Sequence, residues 1–394
     1  MEQERYELPD GWEWFPLLDK SHIGVNTETF KAIKKDTLVP FISMSDIDQY
    51  TGLNSTYQLR DISEVKQGYV KFQKNSILVA KITPCAENNK TALITNCDFG
   101  YATTEVYPIN PCEELNPKYF LYYFRSPSIR NILIHQMEGA TGRKRIPIKA
   151  IKNLYIPLPP LPEQRRIADK LDAVLGRIDD AIRLSQDNLV SLDDLFASML
   201  QQAFNPLGKT SKETRYELPD GWEWKKLSDI LVLHYGKALK TSDRVGGNIK
   251  VYGSNGVIDT HNDFLCSYPT VIIGRKGSVG ETNLCTDSCW VIDTAFFTEI
   301  KDKTKLCLKY FFYFTKTNNV HRLTQNGVKP GINRNDYLNQ SIPLPPLPEQ
   351  RRIADKLDAL SGKIALQKRA IEKKLDELNH LKSSVLDAAF RGRL

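Results

Sequence analysis

The sequence IPLPPLPEQRRIADKLDA stands twice in the chain, at Ile156–Ala173 and Ile342–Ala359, 186 residues apart and identical at all eighteen positions. Two further blocks repeat around it. RYELPDGWEW occurs at Arg5–Trp14 and Arg215–Trp224, 210 residues apart, and SLDDLFASMLQQAF (Ser191–Phe204) aligns with ELNHLKSSVLDAAF (Glu377–Phe390) at the first spacing. The order is entry block, body, proline-rich hinge and helix, then the same four pieces again. The middles differ by 24 residues and have largely lost identity. A tandem duplication of this kind points to two similar units rather than one compact core of 394 residues.

Each hinge dictates local geometry. Pro157, Pro159, Pro160 and Pro162, and their copies Pro343, Pro345, Pro346 and Pro348, hold the backbone extended and stiff, near polyproline II. Pro162 and Pro348 suit the first turn of a helix, with Glu163 and Glu349 near its positive end. The helices that follow carry a heptad seam. Ile167, Leu171, Val174, Ile178, Leu192, Leu195 and Met199 fill it in the first copy, interrupted by Ser185 and Asn188. Ile353, Leu357, Leu360, Ile364, Ile371, Leu378, Leu381 and Val385 fill it in the second, interrupted by Gln367 and Lys374. The pattern predicts two long helices that pair with each other.

Composition sets the class. The chain is 41% hydrophobic and 26% charged, as in a globular protein. It lacks an apolar run of the roughly 18 residues a membrane span needs, and its polar start is unlike a secretory leader. Seven scattered cysteines without a C-x-x-C pair predict reduced thiols and a cytoplasmic location. Cys285 and Cys289 could join His261 or Cys266 around a metal, but no ligand set of usual spacing is complete, and core thiols are expected. The net charge is +7, and both bodies are basic: residues 15–155 hold 18 basic and 13 acidic side chains, and residues 225–341 hold 16 and 10. A polyanion-binding surface has this balance.

Catalytic signatures do not stand out. There is no G-x-x-x-x-G-K-[ST] loop, no glycine-rich dinucleotide fingerprint and no N/D/S-P-P-aromatic methyltransferase motif. PDGWEW places its carboxylates too close together for a metal nuclease, and Trp12, Trp14, Trp222 and Trp224 read as packing anchors. Glycine-flanked basic loops are the better candidates. In the second body these are Ser254 and Asn255, then Arg275, Lys276 and Ser278, then Lys329, Asn333 and Arg334. In the first body they are Lys81 and Thr83, then Asn88, Asn89 and Lys90, then Arg143, Lys144 and Arg145. Arginine offers a bidentate fork to guanine or phosphate, asparagine can pair with an adenine edge, and glycine lets backbone N–H groups approach an anion. Any one of these loops could be a solvated turn; their recurrence at matching places in two diverged bodies points to nucleic acid.

These blocks, with KITPCAENNK and GYATTEVYPI in the first body and VYGSNG, IIGRKGSVG and WVIDTAF in the second, make the chain resemble the specificity subunits of type I restriction–modification systems over essentially its whole length. The resemblance implies an α+β fold: two mixed α/β target-recognition domains, joined by two long helices that form an antiparallel coiled coil, as a pseudo-two-fold tandem duplication. Expected boundaries are 1–155 and 212–341 for the recognition domains, and 156–211 and 342–394 for hinge and helix. The implied function is non-catalytic reading of a bipartite, non-palindromic duplex DNA target. Two methyltransferase subunits would dock on the repeated surface at Glu163, Gln164, Arg165, Arg166 and Leu171, and at Glu349, Gln350, Arg351, Arg352 and Leu357. The restriction subunit joins through them. The chain would bind no cofactor itself, S-adenosylmethionine belonging to the methyltransferase. The competing readings are a coiled-coil scaffold whose basic domains bind without sequence preference, and an intrinsic nuclease or methyltransferase with degenerate motifs.

Overall fold

A computed structural model describes residues 3–25, 28–31, 33–34, 36–54, 56–140, 142–208, 216–317 and 331–394. The chain forms two compact units: Met1–Gln186 with Glu372–Leu394, and Asp187–Ile371. The duplication in sequence is therefore not the division in space. Each long helix, Leu161–Phe204 and Leu347–Phe390, gives its first part to one unit and its last part to the other. No helix among the described residues is long and apolar enough to cross a membrane.

In the first unit the entry strand Glu13–Pro16 pairs antiparallel with the hinge strand Tyr155–Leu158. Pro157 thus lies in one side of a two-stranded ribbon, where a missing N–H is tolerated, and Pro159 and Pro160 lead from it into the helix. Glu223–Lys226 and Ser341–Leu344 repeat the pairing in the same register in the second unit. Tyr6 and Trp14 lock the entry block: Trp14 Nε1 donates to Tyr6 O at 3.1 Å, and Tyr6 Oη donates to Phe390 O at 2.6 Å. Trp224, Tyr216 and Phe204 form the same chain of contacts in the second unit. The entry block of each copy therefore grips the tail of the other copy's helix, which is why the units exchange helix ends.

The helix that buries its aromatic side chains behind each hinge is also repeated. Pro117–Arg125 starts on an Asn116 cap; Tyr119 Oη donates to Pro157 O, and Lys118 and Tyr122 both donate to Asp172. In Leu308–Thr317, Tyr310 donates to Pro343 O, and Lys309 and Tyr313 donate to Asp358. The run KYFLYYFRSPSIRNILIHQ forms two helices. Ser126 is extended before Pro127, which begins Pro127–His135. In the second body the residues that follow Leu308–Thr317, 318–330, lie outside the described residues.

Helix pairing is antiparallel within each unit. Lys382 meets Asp179 at 2.5 Å in the first, and Lys368 meets Asp193 in the second, in the same register. Ile167, Leu171, Leu175 and Ile178 share a core with Leu386, Ala389 and Phe390. Ile353, Ala354 and Leu357 share one with Leu200 and Phe204. The seam is less complete than its heptads suggest: Leu195 and Leu381 remain 47% and 49% exposed, and Ser185 is buried with its hydroxyl on Ala181 O.

Each body stacks sheets on this base. The first has a five-stranded sheet in the order Ser21–Ile23, Val106–Pro111, Ile77–Ala80, Thr91–Ile94 and Leu53–Asn54. A four-stranded sheet of Gln58–Asp61, Leu38–Ile42, Phe99–Ala102 and Val70–Gln73 accompanies it. The second has Leu231–Tyr235, Ala295–Ile300, Thr270–Gly274 and Thr282–Cys285, beside a three-stranded sheet of Gly256–His261, Ile249–Gly253 and Cys289–Val291.

Candidate nucleic-acid interface

Strand register places the basic loops. Ala80 ends its strand opposite Val106, and Gly274 ends the corresponding strand opposite Ala295. This aligns Lys81 with Arg275, and Tyr107 with Phe296. The backbone agrees, since Lys81 N–H donates to Glu105 O at 3.0 Å and Arg275 N–H to Thr294 O at 2.9 Å. The side chains agree as well. Lys81 Nζ lies 4.8 Å from the centre of the Tyr107 ring, and Arg275 Cζ lies 5.6 Å from Phe296 and 5.0 Å from Tyr235. Two bodies of unlike sequence thus seat a cation on an aromatic face at one position of the fold. Such a contact contributes about 0.5–2 kcal/mol and holds the charge at a fixed place.

The later basic turns come to the same seats. Ile82 bridges Arg145, Thr83 N–H donates to Lys144 O at 3.0 Å, and Ile146 N–H donates to Lys81 O at 2.7 Å. In the second unit Lys276 bridges Gly331, and Ile332 N–H donates to Arg275 O at 3.1 Å. The turn at Ser254 and Asn255 closes on this loop, because a Cβ on Gly274 would stand 2.1 Å from Ser278 O and 2.7 Å from Ser254 O. Arg143, Lys144, Arg145, Asn255 and Lys276 are exposed; Lys81, Arg275, Ser278 and Arg334 are half-buried. Burial lowers the pKa of Lys81; the Glu105 carboxylate opposes the shift and the Arg145 charge adds to it. Arg145 is itself paired with Glu105 at 2.7 Å.

Other predicted residues have local duties. Lys90 Nζ donates to Met44 O at 2.6 Å, and Asn89 adopts a left-handed φ of 56° in a turn that leaves Asn88 exposed. The Asn333 side-chain oxygen caps the helix Arg334–Leu338 through the N–H groups of Asn335 and Asp336. Lys329 lies outside the described residues. Tyr235, absent from the sequence reading, is 51% exposed and carries both Arg275 and, at 5.9 Å, Arg334. Nothing in LVLHYG separates a strand-end tyrosine of this kind from an ordinary surface one.

The expected methyltransferase dock needs correction. Gln164 is 1% exposed: its side chain accepts from Asn116 N–H at 2.8 Å and donates to Glu114 O and Pro159 O, both at 2.9 Å. Gln350 repeats this with Cys307, Lys305 and Pro345. Leu171 and Leu357 are buried in their cores. These four side chains join helix to body and are not presented to a partner. Arg165, Arg166, Arg351 and Arg352 are exposed. Hydrogen bonds from Arg166 and Arg352 hold the carboxyl groups of Glu163 and Glu349 below the usual range.

The cysteines Cys266, Cys285 and Cys289 sit in one apolar cluster with Tyr252, Ile272 and Val291. Among the described residues no group of three or more histidine, cysteine or acidic side chains is arranged to hold a metal.

The family model for the type I restriction modification DNA specificity domain matches residues 9–185 and 219–377, each match spanning part of the entry block, the body, the hinge and much of a helix. The chain is 32% identical over 224 residues to the EcoAI specificity subunit of Escherichia coli, covering 56% of this chain and 36% of that one. It thus spans about a third of that relative's length. To the EcoKI specificity subunit of Escherichia coli it is 23% identical over 430 residues, covering 98% and 90%. A chain solved for the complex assembly and conformational transition of the type I R-M system has a TM-score of 0.82 at 24% identity, covering 99% and 100%, a likeness of fold. With both of its repeats matched, this chain belongs to the type I restriction modification DNA specificity domain family.

Proposed function

We propose that this chain is the DNA sequence-specificity subunit of a type I restriction–modification complex, acting in the cytoplasm on a bipartite, non-palindromic duplex target. The observation that carries the reading is the repeated seat: Lys81 on Tyr107 in one body, Arg275 on Phe296 and Tyr235 in the other. Equal placement gives two readers of one design, and unequal residues give two different half-sites. Arg275 can take a guanine edge through two N–H groups, whereas Lys81 offers a single point charge. The remaining basic residues of both loops face phosphates, which positions the protein without specifying sequence.

The chain's own part is recognition and assembly. Two methyltransferase subunits dock on its helices through the exposed Arg165, Arg166, Arg351 and Arg352, and the restriction subunit joins through them. Methyl transfer from S-adenosylmethionine belongs to the methyltransferase. Selection of bound duplexes from a randomised library tests this reading. One split motif with two unlike halves is expected, and binding without sequence preference would favour the scaffold instead.

A further inference from the structure

Arg125 is a buried guanidinium, 4% exposed, at the end of the aromatic helix of the first unit. Among the described residues it forms no ion pair; its donors go to three backbone carbonyls. Nη1 donates to Thr91 O at 3.2 Å, and Nη2 to Gln49 O at 2.9 Å and Tyr50 O at 2.6 Å. Desolvating a guanidinium is costly, so the loop it holds must be worth fixing. That loop is closed from within as well. Asp48 accepts from the N–H groups of Tyr50 and Thr51 and from the Thr51 hydroxyl, and Gly52 O accepts from Leu93 N–H at 2.9 Å. Gly52 has φ +70°, and a Cβ there would stand 2.6 Å from Arg125 Nη1.

The result is a rigid loop that presents Tyr50 to solvent, 64% exposed, with Leu53 and Tyr57 also exposed nearby. A fixed, exposed aromatic adds little to its own fold and suits a partner with flat apolar surface. The loop also borders the basic seat. Thr91, which shares Arg125 with Tyr50, follows Lys90. Lys90 O accepts from Ala80 N–H, next to Lys81, and Lys90 Nζ holds Met44 O. Among the described residues the second unit has no such loop. There Lys316 stands in place of Arg125 and donates to Thr282 O, the counterpart of Thr91 O, at 2.7 Å.

We propose that Asp48–Gly52 is a further DNA-contacting loop of the first unit, with Tyr50 against the bases or sugars of the duplex and Arg125 as its positioning residue. The inference rests on the DNA-reading function above. It makes the two half-sites differ in extent as well as in sequence, since one body has a contact that the other does not.

The test is selection of duplexes by the full chain, in complex with its methyltransferase subunit, from a library randomised in both half-sites. Tyr50→Ala should relax the base preference at one end of one half-site and lower affinity about tenfold. Arg125→Lys, which copies the second unit, should have the same effect with Tyr50 intact, and Gly52→Ala should reproduce it by displacing Arg125. Arg275→Ala should alter the other half-site. An unchanged motif and affinity for Tyr50→Ala, with Arg275→Ala altered, would overturn the proposal and leave the DNA reading standing. No change in either variant would remove both. Loss of a protein subunit from the Tyr50→Ala complex, with the motif intact, would make the loop a protein dock and also overturn the proposal.

Discussion

The ammonium of Lys81 lies 4.8 Å from the centre of the Tyr107 ring, at the register position where the second unit places Arg275 over Phe296. If the seat aims a positive charge at DNA, Lys81→Arg should keep the affinity and salt slope of the native chain while shifting the preferred base of its half-site towards guanine. Lys81→Ala should weaken binding and reduce the slope of log affinity against log salt by about 1. Titration at several salt concentrations measures both.

Gly274 is a point of close backbone approach in the second site. A Cβ would press on Ser278 O and Ser254 O, so Gly274→Ala should separate the Ser254–Asn255 turn from the Arg275 loop. A cost of about 1–3 kcal/mol on the specific duplex is expected, comparable to losing one bidentate base contact. The first unit already has Ala80 at this position, with a longer loop from Lys81 to Lys90 before the next strand. Ala80→Gly should therefore leave binding unchanged. Affinity measurements on the two variants separate these outcomes.

Gln164 and Gln350 join each body to its helix through three backbone groups apiece. Gln164→Leu would strand the Asn116 N–H and the carbonyls of Glu114 and Pro159. The expected loss is about 1–3 kcal/mol for each group left without a partner. Gln350→Leu should act equally on the second unit. Denaturant melts check the magnitude.

Helix surface and helix core should separate cleanly. Reversing the exposed charges Arg165 and Arg351 to glutamate should reduce capture of the methyltransferase subunit by about tenfold, with the melting temperature unchanged. Leu357→Ala, in the core, should instead destabilise the second unit by about 2–5 kcal/mol. Pull-down and thermal melts on the same preparations distinguish the two.

Much of this was legible in the sequence, because repetition does not depend on three-dimensional context. The doubled hinge, the doubled entry block and the seam gave the two bodies and the paired helices. The glycine-flanked Arg275 loop, and the Lys81 loop at the matching strand end, stood out in the sequence. Three things were hidden for physical reasons. Hinge residues on one helical turn look alike in sequence, yet Gln164 faces the body and Arg165 faces water. The exchange of helix tails depends on Tyr6 reaching Phe390, a contact between residues almost a chain length apart. Tyr235 and Tyr50 are single aromatics whose meaning comes only from the guanidinium beside each, one stacked on the ring and one bonded to the backbone.

The most direct measurement is a genome-wide map of methylated adenines in cells that have or lack this chain, with the methyltransferase gene intact in both. The expected result is that removing the chain abolishes methylation at one split, asymmetric motif. Exchange of the body between Trp224 and Ile342 should change only one half of that motif. Persistence of every methylated motif without the chain, or a change in both halves on exchanging one body, would contradict DNA reading by two independent domains.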